Sequence, residues 1–132
     1  MRVLDVGAGQ AHKLISTYQE IDIIQCDKNP SDGVVEQDME HLSYPNDYFD
    51  VVTCINALDH TKDAEKALQE IMRVARGCVY INCAIDQKTR HGKNHHWDAK
   101  ADGRFVGKHD FDLKDYGFDI EFEDGRMMAW YR

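Results

Sequence analysis

The sequence predicts an α/β fold: a doubly wound, mostly parallel sheet with a C-terminal antiparallel hairpin and few helices. Three observations carry this. Short apolar, β-branched runs alternate with segments of helical period, the pattern of a covered parallel sheet. A glycine pair, Gly7 and Gly9, follows the first apolar run directly. Near the other end, two alternating runs flank Asp124-Gly125, a strong hairpin signal.

In order, "RVLDV" (2–6) is a buried strand, and "AHKLISTYQEI" (11–21) spaces Ala11, Leu14, Ile15, Tyr18 and Ile21 as a helix does. "IDIIQC" (21–26) is the second strand, "KNPSDG" (28–33) turn chemistry, "VVEQ" (34–37) a short third strand and "FDVVTCI" (49–55) the fourth. "DAEKALQEIMRVARG" (63–77) is the best helix: Asp63 caps it, and Ala64, Ala67, Leu68, Ile71, Met72 and Ala75 form one stripe. Arg73 and Arg76 suit its negative end, and Gly77 its stop. "CVYINCAI" (78–85) is the fifth strand. Residues 86–110 are polar, without a clean period, and are expected to be a mobile lid. "FDIEFE" (118–123) and "RMMAWY" (126–131) are the closing hairpin.

The 132 residues suit one domain, and an apolar content of 42% supplies one ordinary core. The net charge of -8 tells against tight non-specific nucleic-acid binding. No run approaches membrane length and no secretory leader is evident. Cys26, Cys54, Cys78 and Cys83 lie in apolar runs, as reduced core thiols do, and none forms a Cys-x-x-Cys pair. The expectation is a cytoplasmic protein with no membrane partner.

In a doubly wound sheet, ligands bind beyond the carboxyl ends of the strands. Gly7 and Gly9 let the backbone turn and approach a ligand there. A dinucleotide fingerprint wants a third glycine where His12 stands, and no Gly-Lys-Ser/Thr phosphate loop follows. Asp27 ends the second strand, 22 positions after Asp5, where a carboxylate accepts from two ribose hydroxyls and repels a 2′-phosphate. Asp38 ends the third, where a carboxylate can accept from an adenine amino group.

Taken together, "LDVGAG" (4–9), "CDKNP" (26–30), "EQDMEHLSYPNDYFDVVTCINALDH" (36–60) and "DAEKALQEIMRVARGCVYIN" (63–82) resemble the class I S-adenosylmethionine-dependent methyltransferases, of the small-molecule type. The resemblance covers residues 2–85 in order and implies a single Rossmann-like, methyltransferase-like domain over 1–132, with S-adenosyl-L-methionine as cofactor. It implies that Gly7, Ala8 and Gly9 lie against the methionine portion, with Asp5 bracing the loop. Asp27, with Lys28 beside it, takes the ribose; Asp38 and Met39 take the adenine; Ile55 and Asn56 line the methionine side. His60, with Asp59, stands where the family often has an acid–histidine pair, and equally where it would cap the next helix.

The chain departs from the family in three places. Ala11 replaces a loop glycine, about seven residues replace the helix between the second and third strands, and the helix before the first strand is missing. These gaps leave one sheet face thinly covered, so a second copy or a partner subunit is expected over it.

A sulfonium methyl is already activated, so placement of the acceptor matters more than a strong catalytic motif. The acceptor candidates lie in "RHGKNHHWDAKADGRFVGKHD" (90–110), with His95, His96 and Trp97 to bind or deprotonate, Trp97 being more often a packing anchor than a substrate platform. A metal would draw on His91, His95, His96, Asp98 and His109; none is expected. The functional expectation is methyl transfer to an unidentified acceptor, a small molecule. The alternative is a non-catalytic, cofactor-binding or methyltransferase-like subunit of a complex.

Overall fold

The computed structural model describes residues 1–9, 20–92 and 94–132. The helix expected over 11–21 lies almost wholly outside the described residues, as do Ala11 and His12.

Five strands run parallel: β1 (Arg2–Val6), β2 (Asp22–Asp27), β3 (Val35–Glu36), β4 (Phe49–Ile55) and β5 (Ala75–Ala84). With the hairpin β9 (Asp119–Glu123) and β10 (Arg126–Tyr131) they form one sheet in the order β3-β2-β1-β4-β5-β10-β9. β10 pairs antiparallel with β5, Met127 opposite Cys83. Asp124 and Gly125 both take positive φ, 51° and 76°, as the expected primed turn requires. β1 pairs with β2 on one side and β4 on the other. The loops leaving β1 and β4 therefore diverge and open a crevice at the sheet's carboxyl edge. The β2–β3 connection, residues 28–34, contains only turns and bends.

The helix α1 (Ala64–Val74) buries Ala64, Ala67, Leu68, Ile71 and Val74. Asp63 caps it by accepting from the Lys66 amide at 3.1 Å. Its end differs from the expectation: Ala75 is already extended (φ -88°, ψ 127°), and β5 starts there rather than at Cys78. Gly77 is therefore a strand residue, not a helix stop. A Cβ on it would lie 2.2 Å from the Asp50 carbonyl oxygen, beside the register shift between β4 and β5; only glycine permits that approach. Arg76 likewise leaves the helix and pairs with Asp50 at 2.6 Å. Arg73 turns its guanidinium to Glu70, to the carbonyls of Leu42 and Tyr44 and to Asn46, clasping that loop onto α1.

Residues 86–110, expected as a polar lid without a clean period, carry defined elements among the described residues. After a short α2 (Gln87–His91), the strands β6 (Asp98–Ala99), β7 (Arg104–Val106) and β8 (Phe111–Asp112) make a second, antiparallel sheet. Its reason is a small aromatic core. Trp97, Phe105 and Leu113 are fully buried, Phe105 stacks on Phe111 at 5.2 Å, and Trp97 meets Phe111 edge-on at 5.5 Å. The Trp97 indole N–H donates to the Thr61 carbonyl at 2.9 Å, so Trp97 is the anchor expected of it and ties this sheet to the loop after β4.

Cys26, Cys54 and Cys83 are buried and unpaired by disulfides. Burial pushes the Cys26 thiol up to about 12, and the Cys54 and Cys83 thiols well above their usual range. No helix among the described residues is long and apolar enough to cross a membrane.

Candidate cofactor and acceptor site

The crevice holds a cavity of about 420 Å³, walled by the loops after β1, β2, β3 and β4. Of the residues expected there, Gly7, Gly9, Asp27, Lys28, Asp38, Met39, Asn56, His60 and His96 line it.

The loop after β1 is shaped by two close approaches. Gly7 has φ +73°, and a Cβ on it would lie 2.3 Å from the Ala57 Cβ. Its amide and that of Ala8 donate to the Cys26 carbonyl at 2.9 and 3.0 Å. Gly9 has φ +58° and donates its amide to Asp27 Oδ2 at 2.8 Å. Asp27 Oδ1 accepts from the Asn29 amide at 2.8 Å. This carboxylate is thus held at the cavity wall by backbone donors, and each oxygen keeps acceptor capacity for a ligand. Asp38 is held in the same way, its Oδ1 accepting from the Glu40 amide at 2.9 Å.

Asp5, Ala8 and Ile55 do not line the cavity. Asp5 is buried under the loop, accepting from Thr53 Oγ1 at 2.9 Å and Gln25 Nε2 at 3.1 Å. It braces the three central strands rather than facing the cavity. Ala8 is buried, and Ile55 is 44% exposed; neither is on the cavity wall. The wall after β4 is Asn56 and Ala57, because Asn56 takes φ 53° and turns the chain inward. Its side-chain oxygen accepts from Arg126 of the hairpin at 2.6 Å. Ala57 was not expected, although the glycine facing it signals a small partner. Gln37, Glu40, Thr61 and Lys62 also line the cavity unforeseen, since loop positions carry no period to read.

Also on the wall, the segments 59–61 and 94–97 are joined. The Asp59 carbonyl accepts from the His96 and Trp97 amides at 2.9 and 3.1 Å. His60 donates Nδ1–H to the Asn94 carbonyl at 2.8 Å. The Asp59 carboxyl is buried, and burial raises it above the usual carboxylate range against the opposing pull of His60 and His95. Among the described residues, the five that a metal would have drawn on are not grouped together: Asp98 accepts from Thr89, and His109 pairs with Glu65 at 3.0 Å.

The methyltransferase domain family matches residues 4–81. A curated relative from Bacillus subtilis, described as the uncharacterized methyltransferase YcgJ, is 34% identical over 92 residues, 57% of this chain. The chain spans only 36% of that relative's length. The YcgJ crystal structure superposes with a TM-score of 0.54 at 28% identity, over 64% of this chain and 44% of its own. A Haloferax volcanii protein described as a putative methyltransferase, solved with the Trm112 methyltransferase activator, gives 0.64 at 13% identity, over 98% and 80%. An Aquifex aeolicus SAM-dependent methyltransferase gives 0.60 at 14%, over 98% and 80%; these two likenesses speak to the fold. With its strand order and its Gly-x-Gly loop, the chain belongs to the class I S-adenosylmethionine-dependent methyltransferases.

Proposed function

We propose that the cavity binds S-adenosylmethionine and that the protein transfers its methyl group to a small-molecule acceptor. The observation that carries this is the Asp27 carboxylate, joined to the Gly9 amide on the cavity wall at 2.8 Å. It puts a ribose acceptor and a close-approach loop side by side. The residues present fit the cofactor. Gly7 and Gly9 leave backbone room for the methionine chain, Asp27 takes the ribose hydroxyls with Lys28 beside it, and Asp38 with Met39 takes the adenine. Asn56, held by Arg126, closes the methionine side. Bound, the cofactor supplies a methyl group activated by its sulfonium charge. The chain's own task is then orientation, together with proton removal where the acceptor carries a proton. His96, exposed at the cavity rim, suits proton removal. His60 also lines the cavity, and its Nδ1–H bond to the Asn94 carbonyl leaves Nε2 as the basic nitrogen.

Incubation with methyl-labelled cofactor and a panel of small hydroxyl, amine and thiol compounds tests the proposal. The expected result is S-adenosylhomocysteine formed in proportion to one acceptor class. A chain that binds the cofactor yet turns over nothing alone would contradict it. That outcome would favour a partner-dependent subunit, the reading suggested by the neighbour solved with an activator protein.

A further inference from the structure

Asp59 is 2% exposed, and among the described residues its Oδ1 is the buried side-chain polar atom without a hydrogen-bond partner. Buried carboxylates are normally paired, hydrogen-bonded or bound to a metal. Two imidazoles face this one at distances too long for hydrogen bonds: His60 Nε2 lies 3.9 Å from Oδ1 and His95 Nε2 3.8 Å from Oδ2. One ligand atom from each of the three side chains lies within 4.8 Å of the others. Ligand atoms around a tetrahedral zinc ion sit about 3.3 Å apart, so a small contraction would close the set on one ion.

The surroundings already orient these ligands. The Nδ1–H of His60 goes to the Asn94 carbonyl at 2.8 Å, which leaves the Nε2 lone pair for a ligand, as the outer partners of metal-bound histidines do. Asn94 presents that carbonyl from a left-handed turn, φ 68°. The His96 and Trp97 amides lock the second segment onto the Asp59 carbonyl.

We infer that Asp59, His60 and His95 bind one divalent transition-metal ion of the zinc type at the acceptor end of the cavity. Two imidazoles and one carboxylate suit zinc, cobalt or iron better than magnesium or calcium. Three protein ligands leave a coordination position open. His60 lines the cavity, and His95 lines a neighbouring hollow with Lys62, His96 and Lys108, so an oxygen or nitrogen of an anionic acceptor can reach that position. The role in acceptor binding rests on the methyltransfer reading; the metal site itself does not.

Tag-free, chelator-treated protein titrated with cobalt(II), followed by visible absorption and by zinc displacement, tests the site. One ion per chain is expected, with affinity at least about tenfold weaker in Asp59→Asn and His95→Ala and unchanged in His91→Ala. No saturable binding, or equal affinity in His95→Ala, would overturn it. His95 is partly exposed, so its variant keeps the test decisive if Asp59→Asn does not fold. S-adenosylhomocysteine titrated into the same samples separates the two readings. Metal binding without nucleoside binding supports the ion site and counts against the cofactor assignment alone.

Discussion

Gly7 sets the cavity floor by what it lacks. A side chain there meets both a positive φ and the Ala57 Cβ at 2.3 Å, with Met39 Cε at 3.1 Å behind it. Gly7→Ala should cost about 1–3 kcal/mol in backbone strain alone and weaken S-adenosylhomocysteine binding beyond Asp27→Ala. Equal denaturant midpoints for wild type and variant would contradict this. Gly7, Gly9, Asp27 and Asp38 were legible in the sequence because each sits at a strand end whose run of apolar residues announces it. Asn56 was expected together with Ile55 and only Asn56 lines the cavity, because nothing in "CINAL" says that Asn56 takes φ 53° and turns the chain. The grouping of His95 with Asp59 was not legible either, since it depends on how a segment far along the chain folds back.

The elements were legible where they are long. α1 and the parallel strands show their period, but Ala75 and Arg76 are helix-favouring residues and Gly77 suits a helix stop, in what is strand. The second sheet was missed because strands of two or three residues show no alternation. Its stability rests on aromatic burial, so Trp97→Ala should cost about 3–5 kcal/mol. Backbone amides of Ala99 and Phe105 should exchange slowly in the wild type; exchange there as fast as at Gly92 would restore the mobile-lid reading. The loop before β4 depends on the α1 clasp. Glu70 accepts from Arg73 at 2.6 Å and from the Leu42 amide at 3.0 Å, and the Arg73 hydrogen bond holds its carboxyl below the usual range. A depressed folded pKa gives stability above the ordinary value of 4.5 that is lost as pH falls through the folded value. Glu70→Gln should therefore cost about 1–3 kcal/mol at neutral pH. The gap to wild type should narrow below pH about 4. Chemical denaturation at both pH values checks it, and a constant gap would refute the clasp.

For the whole molecule, the split of the chain on either side of β1 creates the crevice, and a cavity follows from topology before any side chain is considered. The seven residues 28–34 carry the chain between two parallel strands without a helix, so the Asp27 and Asp38 loops lie close together over one wall. The fold as a whole thus presents two carboxylates and a glycine loop to one cavity, the proposed nucleoside site. The most direct measurement of this is calorimetric titration of the protein with S-adenosylhomocysteine, on wild type and Asp27→Ala. Saturable one-to-one binding, weakened at least about tenfold in Asp27→Ala with the thermal midpoint kept, is the predicted result. No binding to the wild type, or equal affinity in the variant, would contradict it.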